Sequence, residues 1–300
     1  MHPVTLTLMV ARTDVRWIEA MLRHLCGMHR KSVAQILVFV DTAPLGPAYR
    51  DRPGVGTMEE LRGILAKVLN EGLIDAVKDI PYDATTRKQI YQKYFGRDLR
   101  VTHNFRGYPV LGSIYSIEEV PTDWVLHFDS DILLHQKTGL DWVGEALDLM
   151  SRREEILFAA PLPGPPRPDG ALLQRGLPYT DEGSFYSFKK FSSRIYLFSK
   201  KRLQCLLPID PKYISWKRRL WQGVSGQSAL WNWEIMVSEA LKKSPLIRAD
   251  LKNPNCWTLH TPDHGPEFVK NLPEIIHRVE AGWFPEAQAG EYDMMLKDWI

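Results

Sequence analysis

An α/β fold with one large, mostly parallel sheet flanked by helices is what this chain predicts, on three observations. Residues 4–11 and 36–40 are apolar runs of strand length with little polar interruption, as expected of strands buried on both faces. Between them Trp17, Ile18, Met21, Leu22, Leu25 and Cys26 recur at helical spacing. A strand, helix and strand of this length close as a right-handed crossover between parallel strands. A further apolar run, residues 124–128, ends in Asp129-Ser130-Asp131. Ligands of open α/β sheets bind beyond the carboxyl ends of the strands, so this carboxylate pair falls where chemistry is expected.

Taken in order, Thr13 or Asp14 is placed to cap the first helix, and the second strand ends at Asp41. Residues 44–56 are rich in Pro and Gly and read as a loop. A helix follows through Met58, Leu61, Ile64, Leu65, Val68 and Leu69, then a weaker strand near 74–80, a helix over 85–95 and another after Pro109. The strands thus deliver Arg12, Asp41 and the Asp129/Asp131 pair to one sheet edge. Residues 161–178 hold six prolines, and with the polar and aromatic run to Ser193 they read as one long irregular segment, a kind that in compact domains is usually functional or disordered. A strand over 194–199, a turn or short helix over 200–207, a helix over 230–241 and a strand over 256–259 ending at His260 complete the pattern. Beyond Pro262, amphipathic stretches at 268–279 and 292–299 read as a C-terminal helical annex.

Composition narrows the class. The 300 residues, 44% hydrophobic and 25% charged, are long enough to bury roughly three quarters of the unfolded surface. A net charge of +2 gives no reason to expect a nucleic acid partner. Cys26, Cys205 and Cys256 are odd in number, far apart and without C-x-x-C spacing, which supports neither a zinc knuckle nor a disulfide framework and is consistent with core thiols in a reducing compartment. Residues 4–11 are too short for a secretory h-region or a bilayer span, so a cytoplasmic chain with no transmembrane segment is expected. Neither G-x-G-x-x-G nor G-x-x-x-x-G-K-[ST] occurs.

Two carboxylates on one strand end repel each other unless a cation lies between them, and such oxygen ligands suit Mg2+ or Mn2+ better than zinc. The competing account is a strand end with two solvated aspartates capping the next turn. The order of motifs adds to this: a strand-end aspartate, Phe128-Asp129-Ser130-Asp131 after its strand, then Phe198-Ser199-Lys200-Lys201-Arg202-Leu203 followed by Leu207-Pro208-Ile209-Asp210, a helix with an acidic residue, and a histidine after a strand. Over about residues 4–261 this resembles the family 2 glycosyltransferases of the GT-A fold.

The resemblance implies a GT-A-type Rossmann-like, mostly parallel sheet over residues 1–261, with a nucleotide-binding half (1–134), an acceptor-binding half (135–261) whose loop 161–193 orders over the donor, and the annex 262–300. It implies a metal-dependent enzyme that moves a sugar from a nucleotide diphosphate sugar to an acceptor hydroxyl, with inversion. Arg12, Asp41 and Asp129 would bind the nucleotide, and Asp131 and His260 would hold Mn2+ or Mg2+, with His264 as the substitute for His260. Glu234 would be the base, although the family carries Glu-Asp where this chain has Glu234-Ile235; Glu239 is the alternative. Lys200, Lys201 and Arg202 would meet the diphosphate or form a solvated basic turn. Trp216, Trp221, Trp231 and Trp233 would offer ring faces to a sugar, with two of the four in the core. The amphipathic tail would serve a homodimer or a membrane surface.

Three rivals share parts of the pattern. A haloacid-dehalogenase-type phosphatase carries its D-x-D on the first core strand and needs a later acidic pair that this chain lacks. A sugar-nucleotide pyrophosphorylase opens with a Gly-rich loop where this chain has Ala11-Arg12-Thr13-Asp14. A catalytically inactive nucleotide-sugar-binding protein of the same fold is favoured only by the missing second acid beside Glu234.

Overall fold

A computed structural model describes residues 2–46, 54–173, 177–218 and 228–300. Its first half is β1 (Val4–Val10), α1 (Ile18–His29), β2 (Gln35–Val40), α2 (Met58–Asn70), β3 (Ala76–Asp79), α3 (Ala84–Phe95), α4 (Val110–Glu118) and β4 (Trp124–Asp129). Local chemistry sets several ends. Thr57 and Glu60 form a reciprocal capping box at the start of α2. The Asp83 carboxylate accepts from the amides of Thr85 and Thr86 to open α3, which closes on Gly96 at φ 67°. Asp14 does not cap α1, whose N-cap position is Trp17 without a side-chain bond. It folds back in the short turn Arg12–Asp14, where its carboxylate accepts from the Ala11 amide at 2.9 Å and the Thr13 hydroxyl at 2.7 Å.

The second half comprises β5 (Ile132–Gln136), α5 (Trp142–Arg152), β6 (Ile156–Ala160), β7 (Leu162–Pro163), β8 (Thr180–Asp181), β9 (Phe185–Phe188), β10 (Ile195–Ser199), α6 (Lys200–Leu203), α7 (Trp233–Lys242), β11 (Ile247–Leu251), β12 (Cys256–His260) and α8 (Pro266–Glu280). The segment expected to be irregular holds β7, β8 and β9, because Phe185–Phe188 is buried throughout and pairs with β11. Residues 292–299 do not form an amphipathic helix; only a single 3-10 turn, Leu296–Asp298, is present. The backbone at Tyr292 and Met294 is committed alongside β12, Tyr292 C=O accepting from the His260 amide at 2.9 Å and the Met294 amide donating to His260 C=O at 2.8 Å.

Among the described residues a nine-stranded sheet runs β3-β2-β1-β4-β10-β6-β11-β9-β8. The block β3-β2-β1-β4 is parallel, as is β6 with β11, whereas β10 is antiparallel to both β4 and β6. The fold is therefore mixed α/β, a large sheet flanked by helices. Alternation along the strands feeds two cores. Ile36, Val38, Leu126 and Phe128 face α1, α2, α5 and α8, while Leu37, Phe39 and Val125 face α3, α4 and α7. A second sheet, β5-β12-β7, adjoins the first. No described helix is long and apolar enough to cross a membrane.

The C-terminal segment is fitted closely against the edge of the small sheet. Gly164 has φ 91°, and a Cβ there would sit 2.8 Å from the Glu291 carbonyl oxygen. Gly164→Ala is expected to lower stability by about 1–3 kcal/mol, read from the urea unfolding midpoint; an unchanged midpoint would show that residues 290–291 do not pack as described.

Candidate active site

The carboxyl ends of β1, β2 and β4 share one edge, and because β10 runs antiparallel to β4, its start lies there too. The Asp129 amide donates to Arg194 C=O at 2.7 Å. Asp129 ends β4 in the large sheet and Asp131 precedes β5 in the small one, so Ser130 is the corner between the sheets. The register of β5 against β12 pairs Ile132 with His260, which sets the histidine beside Asp131. The corner is fixed by Asp131 C=O, which accepts from the Thr261 amide at 3.1 Å and its hydroxyl at 2.8 Å.

A cleft of about 720 Å³ opens over this corner, with Asp14, Asp129, Asp131 and Glu234 among its acidic lining residues and Arg16, Arg106, Lys190 and Arg194 among its basic ones. His127 orients Asp129: its Nε2 is 3.2 Å from the carboxylate and its Nδ1 3.1 Å from the Thr7 hydroxyl. Burial raises the Asp129 pKa, against the opposing contact with His127. Enclosure pushes Asp14 up to about 7, against its hydrogen bonds from Thr13 and Ala11, with the charges of Asp131 and Asp129 adding to the rise.

Asp131 Oδ2 lies 3.6 Å from His260 Nε2 and 3.8 Å from His264 Nε2, while its Oδ1 is buried without a hydrogen-bond partner. His260 Nδ1 pairs with Asp293 at 2.6 Å. Burial opposes the His260 cation, yet Asp131 and Asp293 outweigh it and raise its pKa to about 9. His264 stacks on Trp17 at 4.6 Å, and burial lowers its pKa. Among the described residues no group of three or more His, Cys, Asp or Glu is arranged to hold a metal unaided. A partly built site fits a hard cation nonetheless, because such ions take one or two carboxylates and fill the remaining positions from substrate phosphates and water. The unpartnered Asp131 oxygen is a donor of that kind.

Glu234 stands in the first turn of α7, behind Asn232, whose carboxamide oxygen accepts from the Ile235 amide. Its Oε2 accepts from the Ser193 amide at 3.2 Å and hydroxyl at 3.1 Å. Asp129, Asp131, His260 and Glu234 therefore share the cleft. Arg12 and Asp41 do not line it. Asp41, at the end of β2, accepts from the Tyr82 hydroxyl at 2.7 Å and lies 3.7 Å from His103.

Other sequence expectations fall elsewhere. Glu239 does not line the cleft and pairs with Lys242 at 2.7 Å. Lys200, Lys201 and Arg202 follow β10, whose Ser199 is paired with Trp124 at the start of β4. They are thus at the opposite sheet edge from Asp129, where Lys200 donates to Val120 C=O and Arg202 lies 5.7 Å over the Trp124 ring. Trp233 is buried against Tyr94 and Phe95, Trp231 packs on Phe105, Trp216 is 69% exposed, and Trp221 lies outside the described residues. Arg194, read from the sequence only as the opening residue of the strand over 194–199 and not as a site residue, lines the cleft, with its guanidinium 5.7 Å over the Tyr292 ring and 4.0 Å from Asp293. Its only signal was its place just before an apolar strand.

No family model matches the chain, and no curated protein matches it. Among solved structures, an active-site mutant of LgtC aligns over 79% of this chain and 69% of its own, at 10% identity and a TM-score of 0.37. The galactosyltransferase LgtC in complex with donor and acceptor sugar analogues aligns over 79% and 70%, at 11% identity and a TM-score of 0.36. A superposition that loose fixes neither a family nor a site.

The raised pKa values of Asp14 and His260 each make the protein less stable in alkali. A carboxyl whose folded pKa is raised favours the folded state when protonated, so the Asp14 contribution is lost as pH rises from the ordinary carboxyl range through about 7. The His260 ion pairs stabilise fully below the ordinary histidine pKa and are lost as pH rises through about 9. Asp14→Asn is expected to raise stability at pH 8 by on the order of 1–2 kcal/mol, the cleft being open to solvent, and to have little effect at pH 4. Thermal melts at the two pH values check this; an equal effect at both would show that Asp14 is not held protonated.

Proposed function

We propose that this chain is a metal-dependent glycosyltransferase of the GT-A type, moving a sugar from a nucleotide diphosphate sugar to an acceptor hydroxyl with inversion. The observation that carries the proposal is the Asp131 carboxylate, with one buried oxygen unpartnered, beside Asp129 and His260 in a cleft lined also by Arg16, Arg106, Lys190 and Arg194. Carboxylates and basic groups lining one cleft together suit a diphosphate that carries a cation.

Asp131 and His260 would hold Mn2+ or Mg2+, which when bound neutralises the negative charge that develops on a departing nucleoside diphosphate. Arg194 and Lys190 would draw the phosphates to the floor of the cleft. Asp129, kept in place by His127, would meet the ribose, with Arg12 and Asp41 further along the same edge toward the nucleobase. Glu234, held by Ser193, would accept the proton of the attacking acceptor hydroxyl. A positioned base of this kind contributes about a hundredfold to ten-thousandfold. The sequence Glu234-Ile235 supplies one acid where family 2 enzymes have two, which is the observation in favour of an inactive nucleotide-sugar-binding protein.

Calorimetric titration with UDP, GDP and dTDP, each with Mn2+ and with chelator, tests the proposal. One nucleotide is expected to bind only with metal, and Asp131→Ala to abolish that binding; binding indifferent to both would end the metal reading. Because His260 must lose its proton to act as a ligand, the metal-dependent affinity is expected to rise with pH. Glu234→Gln should leave nucleotide affinity in place and lower turnover by about a hundredfold or more; nucleotide binding with no transfer by the unaltered protein would instead favour the inactive binding protein.

A further inference from the structure

Behind Glu234 the cleft adjoins a second cavity of about 120 Å³, and Lys190, Arg194 and Glu234 line both. Arg248 and Asp250, two residues apart on β11, line the inner cavity, 4% and 2% exposed. They pair with each other at 2.8 Å, and the Arg248 guanidinium lies 4.2 Å over the Phe188 ring. Each nevertheless keeps one buried polar atom without a partner, Arg248 Nε and Asp250 Oδ1. Buried polar groups are nearly always satisfied, so two orphans beside one cavity mark a place where something else completes them.

We propose that this cavity is a sugar subsite, in which Arg248 Nε donates to one hydroxyl of a pyranose and Asp250 Oδ1 accepts from its neighbour. The choice of ligand follows from the charges. The pair already neutralises itself, and what it leaves over is one donor and one acceptor. A carboxylate would meet Asp250 and an ammonium would meet Arg248, whereas a neutral vicinal diol uses both groups. The cavity has room for the hydroxyl-bearing edge of one ring, and its shared wall at Glu234 puts that ring beside the group assigned as base. The subsite rests on the glycosyltransferase reading for the nature of its ligand, while the nucleotide titration above tests that reading separately.

The test uses the whole chain and two kinds of probe. Crystals are soaked in ethylene glycol, the smallest vicinal diol. In parallel, saturation-transfer NMR is recorded with the methyl pyranosides of glucose, galactose, mannose and N-acetylglucosamine. The expected result is a diol bridging Arg248 Nε and Asp250 Oδ1, and at least one glycoside whose binding weakens by about tenfold or more in the double variant Arg248→Met, Asp250→Leu. Replacing both charges by apolar groups of similar size avoids leaving a lone buried ion, and a melting curve verifies that the variant folds. Should it not fold, the same loss is sought in monodeoxy glycosides against the unaltered protein. A cavity that holds only water, glycosides that do not bind, binding indifferent to these changes, or a diol present as an adventitious additive only, each overturns the subsite.

Discussion

The geometry of the cleft depends on the backbone corner at Ser130, where the chain leaves the nine-stranded sheet and enters the three-stranded one. Asp129 ends one ladder, Asp131 precedes another, and Thr261 clamps the Asp131 carbonyl with both its amide and its hydroxyl. The separation and direction of the two carboxylates are therefore set by sheet pairing rather than by a mobile loop. His260 comes to the same point by register, and the backbone around Asp293 is tied alongside it. Groups built on paired strands are held more closely than groups on loops, which is what the proposed binding of a cation and a diphosphate together would require.

Enclosing Asp14 and Asp129 has an electrostatic cost: burial first, and the neighbouring charge of Asp131 second, raise both pKa values. The protein answers only part of it. His127 and His260 compensate the floor, and Arg194 and Lys190 stand at the wall. Beside the adjoining inner cavity, Arg248 and Asp250 each keep one buried polar atom without a partner, a second place where polar capacity is left unmatched within the protein.

Much of the first half was legible because its signals are local. Apolar runs of strand length and helical spacing in α1 and α2 act over a few residues, whereas the cap expected at Thr13 or Asp14 does not form and those at Thr57 and Asp83 were not expected. The second half was less so. Only two residues separate β5 from the end of β4, β11 carries the charged Arg248 and Asp250 within its short run, and β9 lies in a polar and aromatic stretch where its burial comes from pairing with β11. The tail at Tyr292 carries an amphipathic pattern, yet its backbone bonds to His260, a choice that spacing cannot reveal.

By itself the sequence determined the α/β class, the parallel crossover from β1 to β2, and the arrival of Asp129 and Asp131 at a strand end, since periodicity and short connections suffice for each. Tertiary structure alone decided which residues share the cleft. It brought Arg194 in on an antiparallel strand, paired His260 with Asp293 from the tail, gave Asp14 a place in the cleft wall, and sent Lys200 to Arg202 to the far edge. The reason is that strand direction and register are settled by pairing between segments distant in sequence, and these decide which end of a strand faces the ligand.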